Sequence, residues 1–362
     1  MNTQHHPPGD DAPTGAPIPQ DPQDLLYAML EIPSLSGQEE PLARYLERAM
    51  TTMGFATRRD EAGNVIGDIG TGQGPTLMLL SHMDTVAPAL PARRDETRLY
   101  GRGAVDAKGP LAAMICAAAA RPGFPGLIRV IGAVEEERLS RGGHHLARTL
   151  PPPDALVIGE PGGWDRVVLG YKGKIDLEFW AERPATHSTN PRPKAGEAVV
   201  TFWQGLLEAL GPERDHAAFG LPAATLRSIT GNLTSGHADI DCRIPPGFDV
   251  PAFLARLRDL AGGGELKVTR SIPAARTTRT DPVVRALSAA IRTIGGAPRP
   301  TLKTGTSDMN TVSATWTVPM AGYGPGDGSL DHSDEESIEI SEFLTGIAVL
   351  TSAIDQLAAD LT

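Results

Sequence analysis

Apolar positions along the chain follow two different rhythms, and the change between them predicts a two-part architecture. Across residues 23–54 they fall at helical spacing: Leu25, Leu26, Met29 and Leu30, then Leu42, Tyr45, Leu46 and Met50. Short apolar runs bounded by Gly and Pro follow at 76–80, 127–134 and 155–158, with the length and punctuation of buried strands. A helix is predicted over 110–120, opening on Pro110, where the missing N–H costs nothing. Strands apolar on both faces that alternate with helices predict an α/β fold, with a mixed, mostly parallel sheet.

Near residue 166 the rhythm changes. A strand over 167–180 is followed by a helix over 195–210 and strands over 224–229 and 237–244. A helix over 250–260 and a strand over 265–272 complete the order βαββαβ, the ferredoxin-like split motif. After Asp281-Pro282 a helix over 283–294 resumes the first style. The expected organisation is therefore a catalytic domain formed by residues 23–166 and 281–362, with residues 167–280 inserted into it. Residues 1–22 are rich in Pro, Asp and Gln and carry no apolar core, so they read as a disordered tail and not as a signal peptide. His5 and His6, inside that tail, read as solvated.

Composition narrows the function. At 362 residues the chain exceeds one ordinary core, in keeping with two parts. Its mean hydropathy is −0.17, and its longest apolar run, 111–120, is short of the ~20 residues that span a bilayer; no membrane role and a cytoplasmic location are expected. A net charge of −11 argues against a nucleic-acid partner. The acidity lies outside the insert, whose acids and bases nearly balance, so the insert's surface reads either as ordinary solvated surface or as one that attracts an acidic partner. Cys116 and Cys242 form no Cys-x-x-Cys pattern and read as reduced thiols. Any metal would then be held by His and carboxylates, which suits zinc, cobalt or manganese.

Five short stretches place a His or a carboxylate at the end of an apolar run beside Gly or Pro, where open α/β sheets gather their ligands. The first is Leu79-Leu80-Ser81-His82-Met83-Asp84, in which Asp84, two residues on, can orient the His82 imidazole. The second, Gly101-Arg102-Gly103-Ala104-Val105-Asp106, sets an acid between a Gly-rich turn and a helix start. The third is Gly132-Ala133-Val134-Glu135-Glu136-Glu137, a carboxylate cluster that is costly unless metal or donors compensate it. The fourth and fifth are Ile158-Gly159-Glu160-Pro161 and Leu330-Asp331-His332-Ser333. Each alone is weak; a pair of metal ions needs about five or six ligands and a base, and together they supply that inventory.

These stretches, in this order, resemble the co-catalytic zinc metallopeptidases that include acetylornithine deacetylase, succinyl-diaminopimelate desuccinylase and carboxypeptidase G-type enzymes. The resemblance covers nearly the whole chain after the tail. It implies two Zn2+ ions, with Co2+ or Mn2+ as substitutes: His82, Asp106 and Glu160 on one, and Asp106, Glu136 and His332 on the other. It further implies Glu135 as general base, Asp84 as the partner of His82, and His187 as an oxyanion donor on an insert that acts as lid and homodimer interface. Arg243 matches a substrate-binding arginine.

Four segments resemble one branch more closely: Gly159-Glu160-Pro161-Gly162-Gly163-Trp164-Asp165, Leu169-Gly170-Tyr171-Lys172-Gly173, Lys303-Thr304-Gly305-Thr306-Ser307-Asp308-Met309-Asn310 and Tyr323-Gly324-Pro325-Gly326-Asp327. Members of that branch release lysine or ornithine from the C-terminal glutamate side chain of a small acidic amino-group carrier protein. In that case Thr304, Thr306, Ser307 and Asp308 would shape the product pocket. Three other readings stay open: a desuccinylase or deacetylase of a free N-acyl amino acid, a dipeptidase, and a metal-dependent binding module without catalysis.

Overall fold

The computed structural model describes residues 18–361. The tail expected over 1–22 falls mainly outside that range, as do His5 and His6. Pro22 already opens the first helix, Pro22–Leu30, capped by Asp21, which accepts the Gln23 N–H at 2.8 Å. Contacts divide the described residues into two units. One comprises 18–167, Arg279–Pro300 and 317–361; the other comprises Val168–Thr278 and Thr301–Trp316.

The first unit is built on a mixed sheet whose strands lie in the order Ala56–Arg59, Val65–Ile69, Leu127–Ala133, Thr76–His82, Ala155–Ile158, Met320–Gly322. The last four are mutually parallel, whereas Val65–Ile69 runs antiparallel to both its neighbours. Every residue from Leu77 to His82 is buried, as expected of a strand covered on both faces. The helix Lys108–Ala119 lies against the Thr76–His82 and Leu127–Ala133 strands, and its alanines let it approach closely.

Ile340–Leu361 is the one helix among the described residues long and apolar enough to cross a membrane by length and composition. Here its buried stripe (Phe343, Gly346, Val349, Leu350, Ala353, Ile354, Leu357) packs against the helices Pro282–Thr293 and Lys108–Ala119. Gly346 is required in that stripe, since a Cβ there would meet the Pro325 ring at 2.7 Å.

The second unit contains an antiparallel sheet in the order Ala223–Gly231, Ser235–Ile244, Gly173–Glu182, Glu265–Ile272. The helices Ala195–Ala209 and Val250–Leu260 interrupt these strands in the chain order βαββαβ. Phe179 from the sheet stacks on Phe202 from the first helix at 4.0 Å, at the centre of a core that includes Ile175, Leu177, Ile240 and Leu257.

Two local expectations change. The run read as one strand over 167–180 is two strands, Arg166–Tyr171 and Gly173–Glu182. The former pairs with Ala275–Arg276 and the latter joins the antiparallel sheet. The break falls at Lys172, and at Gly173, which opens the second strand, a Cβ would meet Ile272 O and Ala274 N at 2.6 Å. Residues Thr301–Trp316, read with the catalytic part, cluster instead with the second unit. Asn310 Nδ2 donates to the carbonyls of Lys172 at 3.0 Å and Pro273 at 2.9 Å, contacts too distant in sequence to read from local pattern.

Candidate metal centre

The carboxyl ends of the parallel strands converge on one cluster. His82 ends the Thr76–His82 strand, the glutamates follow Leu127–Ala133, and Glu160 follows Ala155–Ile158. Asp106 precedes the Lys108–Ala119 helix, and His332 lies in the loop between Met320–Gly322 and Ser337–Glu339.

One Asp106 oxygen, Oδ1, is 3.0 Å from His82 Nε2, and the other, Oδ2, is 3.2 Å from His332 Nε2. The carboxylate thus divides between two imidazoles, as a bridging ligand must. Glu160 Oε1 lies 4.0 Å from His82 Nε2. On the other side, Glu137 Oε1 lies 2.8 Å from His332 Nε2. Ligand atoms of His82, Asp106 and Glu137 all fall within 4.8 Å of one another.

The resemblance implies Glu136 as a ligand; the glutamate whose carboxylate lies within reach of His82, Asp106 and His332 is its neighbour Glu137. Glu135, implied as the base, turns its carboxylate to Arg141, whose Nε donates at 2.7 Å. Its backbone sits at φ +55°, where the chain leaves the strand direction. Asp84 pins the next two residues by their backbone: Oδ1 accepts the Glu136 N–H at 2.9 Å and Oδ2 the Glu137 N–H at 3.1 Å. Asp84 also stands behind His82, with its carbonyl 2.9 Å and its Oδ1 3.5 Å from Nδ1. It therefore supports both sides of the cluster, as expected of a carboxylate that orients a ligand imidazole.

Charge is concentrated here around a buried His82, a part-buried Asp106 and Glu137, and a half-exposed His332. Burial pushes the His82 imidazole down, but Asp106 and Asp84 outweigh it and hold it well above its usual range. Hydrogen bonds to Asp106 and Glu137 push His332 up to about 10. Burial, with Asp106 nearby, raises the Glu137 carboxyl despite the opposing pull of His332. Two imidazoles aimed at shared carboxylates form a donor set that fits divalent zinc, cobalt or manganese.

Several supporting residues carry no sequence signal. Glu39 accepts the Glu135 N–H at 3.1 Å and the Gly37 N–H at 2.9 Å. Asn64 accepts the Val134 N–H at 3.0 Å. Both are buried polar side chains remote in sequence from the backbone N–H groups they hold, at Glu135 and Val134, and neither lies in a motif.

The remaining site residues belong to the second unit. His187 lies on an exposed loop, its Nδ1 accepting the Thr189 N–H at 3.3 Å and lying 2.8 Å from Thr189 Oγ1. Arg243 pairs with Asp241 through Nε at 3.0 Å and reaches Thr306 Oγ1 at 3.5 Å. Ser307 caps the short Asp308–Ser313 helix by accepting the Met309 N–H at 3.1 Å, and Asp308 is buried beside it. Thr304 is partly buried on the same segment. The cations on this sheet are matched by acids: Lys174 with Asp176 and Asp241, and Arg227 with Asp176 and Asp239. The near balance of charge in the insert thus includes neutralised pairs, which weakens any long-range attraction they exert.

The model of Peptidase family M20/M25/M40 matches residues 78–356. A [LysW]-lysine hydrolase of Deinococcus radiodurans is 38% identical over 361 residues, covering 95% of this chain and 99% of the relative. A [LysW]-lysine/[LysW]-ornithine hydrolase of Saccharolobus solfataricus is 27% identical over 345 residues, covering 94% of this chain and 97% of its own. Among solved structures, a tripeptidase from Staphylococcus aureus superposes with a TM-score of 0.80 at 20% identity, covering 94% of this chain and 98% of that one. An M20 family metallo-carboxypeptidase from Sulfolobus solfataricus gives 0.77 at 18% identity, covering 94% and 100%. These two share the fold. The chain belongs to peptidase family M20/M25/M40 and is a hydrolase of amide bonds that uses divalent metal.

Proposed function

We propose that this chain releases lysine, and ornithine as a second product, from the C-terminal glutamate side chain of a small acidic amino-group carrier protein in lysine and arginine biosynthesis. The observation that carries the reading is the 38% identity with a [LysW]-lysine hydrolase over nearly the full length of both chains. A homodimer and a cytoplasmic location belong to the same reading.

Two zinc ions are the proposed cofactor. His82, Asp106 and Glu160 would hold one, and Asp106, Glu137 and His332 the other. When bound they would polarise the scissile carbonyl and acidify a water enough to give hydroxide near neutral pH. The resemblance puts the base immediately before the glutamate ligand of the second ion. With Glu137 as that ligand, the base becomes Glu136. Its carboxylate takes the proton from the attacking water and returns it to the departing amine nitrogen. Asp84 holds the Glu136 N–H and the His82 ring in register, so base and ligand keep one geometry.

His187 is proposed to donate to the oxyanion. The Thr189 N–H occupies its Nδ1 as an acceptor, which leaves the neutral ring's proton on Nε2. Arg243 is proposed to meet a substrate carboxylate, with Asp241 orienting its guanidinium. Thr304, Thr306, Ser307 and Asp308 would shape the pocket for the released amino acid.

The test is a substrate panel: lysyl- and ornithyl-carrier beside N-acetylornithine and N-succinyl-diaminopimelate, with and without chelator. Chelator-sensitive release from the carrier alone is expected. Turnover confined to the free acylated amino acids would overturn the carrier assignment and leave the metal chemistry standing.

A further inference from the structure

Glu336 lies outside the metal-ligand set and outside every motif, yet its carboxylate accepts from four donors. The residue is 1% exposed. Oε1 accepts three main-chain N–H groups from the loop that carries Asp106: Gly103 at 3.0 Å, Val105 at 2.9 Å and Asp106 itself at 3.0 Å. Oε2 accepts from Arg102 Nη1 at 3.0 Å, and the Glu336 carbonyl accepts the Gly101 N–H at 3.1 Å.

Arg102 extends the same anchor. Its Nη1 also donates to Ser333 O at 2.8 Å and its Nε to Pro88 O at 3.1 Å. Ser333 adjoins His332, so one buried ion pair ties the backbone of the bridging acid to the loop of the histidine opposite it. A buried carboxylate with this many donors is rigid in position.

We propose that Glu336, with Arg102, is a positioning residue that sets the distance between Asp106 and His332 and thereby the affinity of the site they share; this rests on the metal-site reading above. Replacing Glu336 by Gln would keep one acceptor oxygen but turn an NH2 toward donors, so both loops would lose their common anchor.

The experiment is zinc titration of the metal-free full-length protein against a chromophoric chelator, for wild type and Glu336→Gln, with circular dichroism to establish that each is folded. Zinc binding weaker by about 10–100-fold in the folded variant is expected. If Glu336→Gln does not fold, the double variant Glu336→Gln/Arg102→Met, which leaves no charge unpaired, takes its place with the same expected loss. Wild-type zinc affinity in a folded variant overturns the proposal and leaves the metal site intact. A wild type that binds no zinc overturns both.

Discussion

His332 Nε2 stands 2.8 Å from Glu137 Oε1, and this contact sets the register of the three consecutive glutamates. Glu137 lies in the cluster with His82 and Asp106, and the Glu135 carboxylate accepts from Arg141; on the proposed arrangement Glu135 is not the base.

Glu135→Gln is therefore expected to leave kcat within about threefold of wild type. The Arg141 partner is half exposed, and pairs of that kind contribute at most ~1 kcal/mol to stability. Steady-state release of lysine from the carrier checks this. A loss of several orders of magnitude would return the base to Glu135.

Asp84 supports the cluster from behind, holding His82 and the backbone of both Glu136 and Glu137. Asp84→Asn places an NH2 where one of those N–H groups must donate. A fall in kcat of about 10–100-fold, with little change in KM, is expected at saturating zinc. An unchanged kcat would show that the geometry is held by other contacts.

Acid stability has one legible contributor in the sheet. Burial pushes the Asp68 carboxyl up, but Arg129, donating at 2.7 and 2.9 Å, and Arg58 outweigh it and leave it below its usual value. A folded value below the unfolded one means stability that is complete above the ordinary aspartate range and is lost as pH falls through the lowered folded value. Asp68→Asn is expected to cost about 1–3 kcal/mol at neutral pH and progressively less in acid. Urea unfolding of both proteins at about pH 7 and about pH 4 measures the gap, and a gap that widens in acid would refute the assignment.

The thiols should be inert in the native state. Burial pushes Cys116 up to about 12 and raises Cys242 further from the thiolate, and neither forms a disulfide. Maleimide labelling is expected to be slow in the folded protein and complete after denaturation. Rapid native labelling of either residue would contradict that.

Much of this was legible in the sequence because His82, Asp106, Glu160 and His332 each follow an apolar strand or sit at a Gly-rich turn. The glutamate register was not. Three identical residues offer no contrast, and their assignment depends on the φ of Glu135 and on Asp84, a residue on another strand's end. Glu336 was hidden for a related reason. It closes the acidic run Asp334-Glu335-Glu336, and the donors that hold it lie on a loop far upstream. The break at Lys172 within the run read as one strand was likewise decided by which sheet each half joins.

Zinc content and lysine release measured side by side in Glu136→Gln and Glu137→Gln decide the arrangement of the centre. Glu136→Gln is predicted to keep its full zinc complement while losing about 10²–10⁴-fold in rate, as removal of a general base should. Glu137→Gln should lose part of its zinc. Full zinc in Glu137→Gln together with depleted zinc in Glu136→Gln would place Glu136 on the metal and contradict the arrangement described.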